Sequence, residues 1–504
     1  MPLTIFQPAG GMQLDETPTA AEGGWTGGDK IRFRGGKPEL VGGWESVTLD
    51  NLSGVCRSIH SWNDLDGTPQ YAFGTHSHLQ ALSGGALIDI TPAAVTAGLV
   101  DGTGGAGYGT GTYGTGVYGE SSAASVEFWP RTWALDHWGE TLVASPRNGG
   151  IYQWSLSLVA DAVAVAGAPA RVSSIFVTPE RILVAVGSND VSATWNPMLV
   201  RWCDQEIITS WNPTAANQAG DMVLSRGSRA VAGKVCGKLN LVWTDVGCYS
   251  MRYLGDPLLV YGFDYLGDGG LIGPNAAAVM DNSAFWLSPS GTFYYYDGQA
   301  PREVSCPVRR SVVGNLAFVQ ADKIVMSTIA ASGEFLMLYP DSRDGNECSR
   351  YVIFNPADGT WSVGTWDRTA WVDAGPQSWP VAVTAAGRVF YHEKGRSADG
   401  GPISWHLESA PVDLTDGDRL MAVLRCVPDF EEVSGGIDVS LLTRDWPQSD
   451  PVTRALGTVT GRTGKLDCRV TARQVALRLS GSSAPAWWRL GAVRMDTRET
   501  GSKR

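Results

Sequence analysis

Little in this 504-residue chain would build helix, and only 18% of it is charged. Stretches rich in Glu and Lys, the usual lining of exposed helices, are missing, so helix is expected to be scarce. No apolar run approaches the roughly 18 residues that a membrane helix requires. The start, MPLTIFQPAGG, has neither a basic nor an apolar segment, so no secretory signal is expected and synthesis and folding are expected in a cytoplasm. The eight cysteines are dispersed, with no CxxC pair and no metal-like cluster, and read as free, mostly buried thiols. Basic residues are outnumbered, 39 Lys and Arg against 51 Asp and Glu, for a net charge of -12. That balance argues against a protein that holds nucleic acid by neutralising phosphates. An acidic wall that repels DNA suits a conduit better than a binder.

Signatures of chemistry are also scarce. There is no Walker A sequence, no GxSxG elbow and no HExxH. Three overlapping GxGxxG matches, at Gly102, Gly104 and Gly107, at Gly109, Gly111 and Gly114, and at Gly114, Gly116 and Gly119, do not open a helix after a strand. They therefore lack the dipole and amides that hold a pyrophosphate. His76 and His78, two apart on an expected strand, share a face and would need a third ligand to bind a metal. Asn63, Asp64, Asp66 and Gly67 read as a hairpin turn rather than a calcium loop. No catalytic residue, cofactor or metal is expected.

What the chain does have is repetition, on a background of 62 Gly, 27 Pro and 20 Trp. Hairpins of one shape recur: LVASPRNGGIYQW (Leu142 to Trp154), FWLSPSGTFYYY (Phe285 to Tyr296) and VAVTAAGRVFYH (Val381 to His392), with four looser copies. Where no insertion intervenes they fall about 40 to 45 residues apart, the length of one four-stranded propeller blade. The fold expected is all-β: a β-propeller of seven four-stranded blades, with six as the alternative count, over 46–411, followed by a β-sandwich over 412–497 and a tail at 498–504. The C-terminal part differs in texture, with longer strands of clean two-residue alternation such as GGIDVSLLTRDWP and QVALRLSG. Blade three is expected to end in EIITSW and blade seven in ISWHLES, while the last strand of blade two has no clear place. Trp154, Trp243, Trp286 and Trp361 recur at similar strand positions and are expected between blades.

Residues 1–45 form an extended arm and a basic strand. The arm is expected to be disordered or laid across a neighbouring subunit. Lys30, Arg32 and Arg34 alternate with Ile31 and Phe33, which places the charges on one strand face and makes them candidate subunit contacts. With Arg489, Arg494, Arg498, Lys503 and Arg504 they could touch DNA; solvated strand faces or subunit salt bridges are the preferred reading. An insertion at 101–119, DGTGGAGYGTGTYGTGVYG, spaces Tyr108, Tyr113 and Tyr118 five apart in Gly and Thr, giving a flexible loop with aromatic handles.

Several stretches carry a resemblance: GGWTGGDKIRFRGGKPELVGGW, LVWTDVGCYSMRYLGDP with YGFDYLGDGGLIGP, and FWLSPSGTFYYYDGQAPREVSCPV, then VPDFEEVSGGIDVSLLTRDWPQ, TGKLDCRVTARQVALRLSG and WWRLGAVRMD near the end. These resemble tail proteins of short-tailed bacteriophages and related prophages, of the kind called tail tubular protein B. The resemblance implies a structural, non-enzymatic tail hub or nozzle in the virion tail. It implies a ring homohexamer below the portal and head-tail adaptor, contacts with tail fibre or needle proteins, and transient contact with genomic DNA in the lumen. On that reading Tyr108, Tyr113 and Tyr118 belong to a gate or partner-contact loop. The alternative is a propeller tail protein that binds or hydrolyses host surface glycans. FNPADGTW resembles a sialidase Asp-box only loosely, since Asp358 directly precedes Gly359.

Overall fold

The computed structural model describes residues 3–47, 50–103, 128–256, 259–413 and 419–501. Tyr108, Tyr113 and Tyr118 lie outside the described residues, as do Lys503 and Arg504. No helix among the described residues is long and apolar enough to cross a membrane.

Seven four-stranded antiparallel sheets follow one another along the chain. Blades 1 to 6 occupy 56–89, 133–164, 172–223, 230–268, 277–303 and 325–365, and blade 7 begins at 370. Their innermost strands are Cys56–Asn63, Trp133–Trp138, Val172–Val177, Ala230–Cys236, Ala277–Met280, Val325–Ile329 and Ala370–Val372. Each touches the next, and the seventh touches the first, so the ring is closed with seven blades. Second strands such as Leu183–Ser188 and Glu334–Pro340 are buried along their whole length, because each packs against a blade on either side. That double burial explains their continuous apolar runs. Where blades 1 and 2 meet, a Cβ on Gly74 would fall 2.5 Å from the Trp133 ring, so only glycine fits there.

Two outer strands differ from expectation. Blade 3 ends in Gly220–Val223, not in EIITSW, which forms an irregular turn with Ile207 51% exposed. Blade 2 ends in the two-residue Val163–Ala164. Both are edge strands with mostly exposed side chains, so neither carries an apolar pattern.

Blade 7 is completed from the other end of the chain. Its third strand, Val389–His392, pairs with Trp44–Ser46, matching Phe390 with Ser46, Tyr391 with Glu45 and His392 with Trp44. The Asp399 carboxylate accepts hydrogen bonds from the Ser46 backbone N–H and hydroxyl, both at 3.0 Å. Ile403–Ser409, expected as the fourth strand here, leaves the propeller. It lies between Trp25–Asp29 and Gln474–Ser483 in another sheet, with Ile403, Trp405 and Leu407 on its buried face.

That sheet continues through Ile437–Arg444 to Val452–Val459, and the short Val412–Asp413 also pairs with Gln474–Ser483. A second sheet runs Ile31–Arg34, Lys37–Leu40, Trp487–Thr500, Leu420–Ser434, Leu466–Ala472, and Thr4–Phe6 pairs with Trp487–Thr500. The two sheets meet at Trp405 and Trp488, whose ring centroids are 4.6 Å apart, with the Phe430 ring edge-on to Trp488. Their inward residues, including Leu441, Leu479, Val423 and Val493, belong to one hydrophobic core that continues into blades 4 to 6. So the terminal sheets are not built from 412–497 alone: they take strands from 1–45 and begin again at Ile403. The described N-terminal arm is anchored to its own chain at Met12 and Trp25, which are fully buried in this core, while Leu3 and Ile5 are exposed. Burial of such side chains favours the arm's docking by about 1.5–3 kcal/mol each.

Candidate functional site in the propeller channel

The starts of the innermost strands and the loops beside them gather at one end of the channel and close it. Arg57, at the start of blade 1, donates to the Val100 carbonyl at 3.1 Å and forms a two-pronged pair with Glu347 of blade 6, reaching past blade 7. Lys323 is fully buried and binds Glu347 at 2.9 Å and Asp101. Across the mouth, Arg147 of blade 2 pairs with Asp322, between blades 5 and 6, at 2.9 Å. Burial opposes ionisation of Glu347 and Asp101, but Arg57 and Lys323 outweigh it and hold both carboxyls below their ordinary values. The short 3-10 turn Phe318–Lys323 supplies Gln320, whose side-chain amide exchanges two hydrogen bonds with the Gly102 backbone at 2.8 and 2.9 Å. Thr103 N–H donates to the Phe128 carbonyl at 3.0 Å. The two residues flanking 104–127 are thus bonded to each other on this closed mouth. The Trp129 ring lies under the guanidinium groups of Arg147 and Arg229, 4.7 and 5.6 Å from its centroid.

Beyond this plug is a cavity of about 790 Å³, lined by the innermost strands of blades 1 to 4, 6 and 7 and by Pro274 and Asn275. At its far end stand His60, the fifth residue of the inner strand of blade 1, and Asp136 and His137, at the same level of blade 2. His60 Nε2 is 3.0 Å from His137 Nδ1, and the Asp136 carboxylate lies 3.4 Å from His137 and 3.9 Å from His60. Asp136 is fixed from two sides: the Val177 N–H of blade 3 donates to Oδ2 at 2.7 Å and its neighbour's N–H to Oδ1 at 2.8 Å. Burial lowers the His60 pKa to about 4, so the ring is neutral at physiological pH. Burial also lowers Lys234, which feels the Asp136 charge, to about 8. Asp136 is the one carboxylate among the described residues lining the cavity, so the carboxylate pair that glycoside hydrolysis requires is not found there.

The residues singled out in the sequence fall elsewhere. His76 and His78 are in the turn between Pro69–Thr75 and Leu79–Ser83, not on a strand; His76 Nδ1 accepts from Val55 N–H and His78 Nδ1 lies 2.7 Å from the Ser77 hydroxyl. Asp64 accepts from the N–H groups of Asp66 and Thr68, an ordinary turn. Asp358 accepts from Gly35 N–H at 2.7 Å, tying blade 6 to the terminal sheets. Arg32 is only 2% exposed and lies between Glu334 of blade 6, at 3.4 Å, and Glu393 of blade 7. Their charges raise its already high pKa against the opposing cost of burial. Lys30 is held by Asp29 and the Thr365 carbonyl. The three basic residues therefore do not share one exposed face: Lys30 and Arg32 face the chain's own interior, and Arg34 is half exposed beside Glu39. Trp243 and Trp286 occupy second strands of adjacent blades and pack edge to face at 5.6 Å, whereas Trp154 is on a third strand and Trp361 on a fourth, all four buried.

No protein-family model matches this chain, and no curated protein matches it. Among solved structures, BamB from Moraxella catarrhalis is 9% identical, with a TM-score of 0.38, over 73% of this chain and 96% of that one. The WD40 β-propeller domain of Doa1 is 11% identical, with a TM-score of 0.40, over 70% and 98%. A computationally designed protein, Ika8, is 14% identical, with a TM-score of 0.37, over 69% and 100%. It is the seven four-stranded sheets and the closed circle of their inner strands that make this chain a β-propeller.

Proposed function

We propose that this chain is a structural subunit of the tail hub or nozzle of a short-tailed bacteriophage. Six copies would form a ring below the portal and adaptor, with DNA passing through its lumen and fibre or needle proteins attached to it. The observation that carries this reading is where the resembling stretches fall. GGWTGGDKIRFRGGKPELVGGW supplies one strand to one terminal sheet and two to the other, and leads into the strand that closes blade 7. The C-terminal blocks supply most of the remaining strands of those sheets. Those stretches thus lead into the strand that closes the ring and build much of the two sheets beside it, which suits a wall that must hold its shape as DNA leaves. The net charge of -12 suits a lumen from which DNA is repelled. The stem at Thr103 and Phe128 gives the tyrosine-bearing segment a fixed base from which to act as a gate or partner contact.

The glycan-cleaving alternative is less well supported, because the described residues lining the cavity include one carboxylate where two are needed. The test is quantitative mass spectrometry of purified particles from the source phage or induced prophage. The expected result is this chain at about six copies per particle, following the ring expected here. Its absence from particles would overturn the proposal.

A further inference from the structure

We propose that His60, His137 and Asp136 form a transition-metal site, best suited to zinc, that joins blades 1 and 2 at the open end of the propeller channel. Zinc bonds of about 2.0–2.2 Å in tetrahedral geometry place ligand atoms about 3.3 Å from one another. The separations here, 3.0, 3.4 and 3.9 Å, bracket that value, so a few tenths of an ångström of side-chain movement completes the triangle. Two imidazole nitrogens and one carboxylate oxygen are donors that zinc accepts readily.

The support around the ligands is of the kind a metal centre needs. The Val177 N–H occupies one oxygen of Asp136 and orients the other, which is how an outer hydrogen bond positions a ligand. The His60 ring is stacked on Trp62, centroids 5.7 Å apart, which restrains its rotation. The strands that carry the ligands, Cys56–Asn63 and Trp133–Trp138, are neighbours in the rigid inner circle. All three ligand residues line the cavity, which leaves room for water as the fourth ligand. Lys234 shares the cavity and its charge opposes a cation, so its removal strengthens binding.

The experiment uses the full chain without an affinity tag, stripped with chelator and titrated with zinc alone by calorimetry, with elemental analysis after dialysis. One ion per chain is expected. His60→Ala and His137→Gln weaken binding by roughly tenfold or more, the scale on which even outer-shell partners act. His78→Ala leaves it unchanged, and Lys234→Met tightens it. Cobalt in place of zinc gives the visible bands of a tetrahedral site, which vanish in the His137→Gln protein. His137 is 44% exposed, so that variant folds, as circular dichroism would verify. No retained metal in the wild type, or binding undiminished in the His60→Ala, His137→Gln double variant, overturns the proposal.

Discussion

Replacing Arg32 with Met tests whether the terminal sheets and the propeller are held together by buried charge. Arg32 comes from the terminal sheets, yet its partners are Glu334 on blade 6 and Glu393 in the turn after blade 7, and Glu334 has no exposed surface. Met keeps much of the volume and removes the charge, leaving two carboxylates facing each other. Breaking a buried pair from one side costs about 3–5 kcal/mol, because the remaining charge is uncompensated. That corresponds to at least roughly a hundredfold in the unfolding equilibrium. The loss should depend on pH in a definite direction. Glu334 already sits above its ordinary pKa, since burial outweighs Arg32. An acid whose folded-state pKa is raised binds its proton more tightly in the folded chain, so stability falls as pH rises through the interval between the unfolded and folded values. Without Arg32 the Glu334 carboxyl moves further up, and the deficit of the variant should shrink as pH is lowered from 8 towards 5. Urea unfolding followed by tryptophan fluorescence at several pH values measures this. A loss under 1 kcal/mol, or one independent of pH, would refute the reasoning.

Other outcomes follow from the same structure. Acid should loosen the channel plug: Asp101 and Glu347 are held below their ordinary pKa values, so their contribution is present above the usual carboxylate range and lost as pH falls through the lowered values. Hydrogen exchange at 100–103 and 318–323 should rise below about pH 4 before it rises in the blades; uniform exchange would contradict this. Removing residues 1–46 takes away the closing strand of blade 7 and four strands of the terminal sheets, and should leave a chain that limited proteolysis degrades at blades 7 and 1. A protease-resistant product would show that the closure is dispensable. Gly74→Val forces its side chain into the Trp133 ring and should cost about 1–3 kcal/mol, read as a lowered thermal midpoint. All eight cysteines are free thiols, and burial raises each thiol pKa, so alkylation near pH 8 should be slow until the protein is unfolded; rapid labelling would show local opening.

Apolar periodicity revealed the strands that are buried on both sides and, through two-residue alternation, the longer C-terminal strands such as Ile437–Arg444 and Gln474–Ser483. Ser283–Leu287 and Glu334–Pro340 stand out because each lies between blades. Gly220–Val223 and Val163–Ala164 do not, since an edge strand with exposed side chains needs no apolar residues. ISWHLES has the alternation of a half-buried strand, and alternation does not say which sheet it joins. Likewise Trp44–Ser46 is three residues long and its partner lies more than 300 positions away. Arg32 looked like a surface charge because its counter-ions, Glu334 and Glu393, are equally distant in sequence. The channel cluster was hidden in the same way, His60 and His137 being 77 residues apart. One signal was available: laying RSIHSW of blade 1 over WALDHW of blade 2 puts His60 level with Asp136 and one position from His137.

The central claim, that this propeller is a wall of a tail nozzle, is tested most directly by cryo-EM reconstruction of virions from the source phage or induced prophage. The account predicts tail density that fits seven blades with two attached six-stranded sheets, in six copies around the DNA axis. Copies only at the periphery of the tail, or no such density, would contradict it.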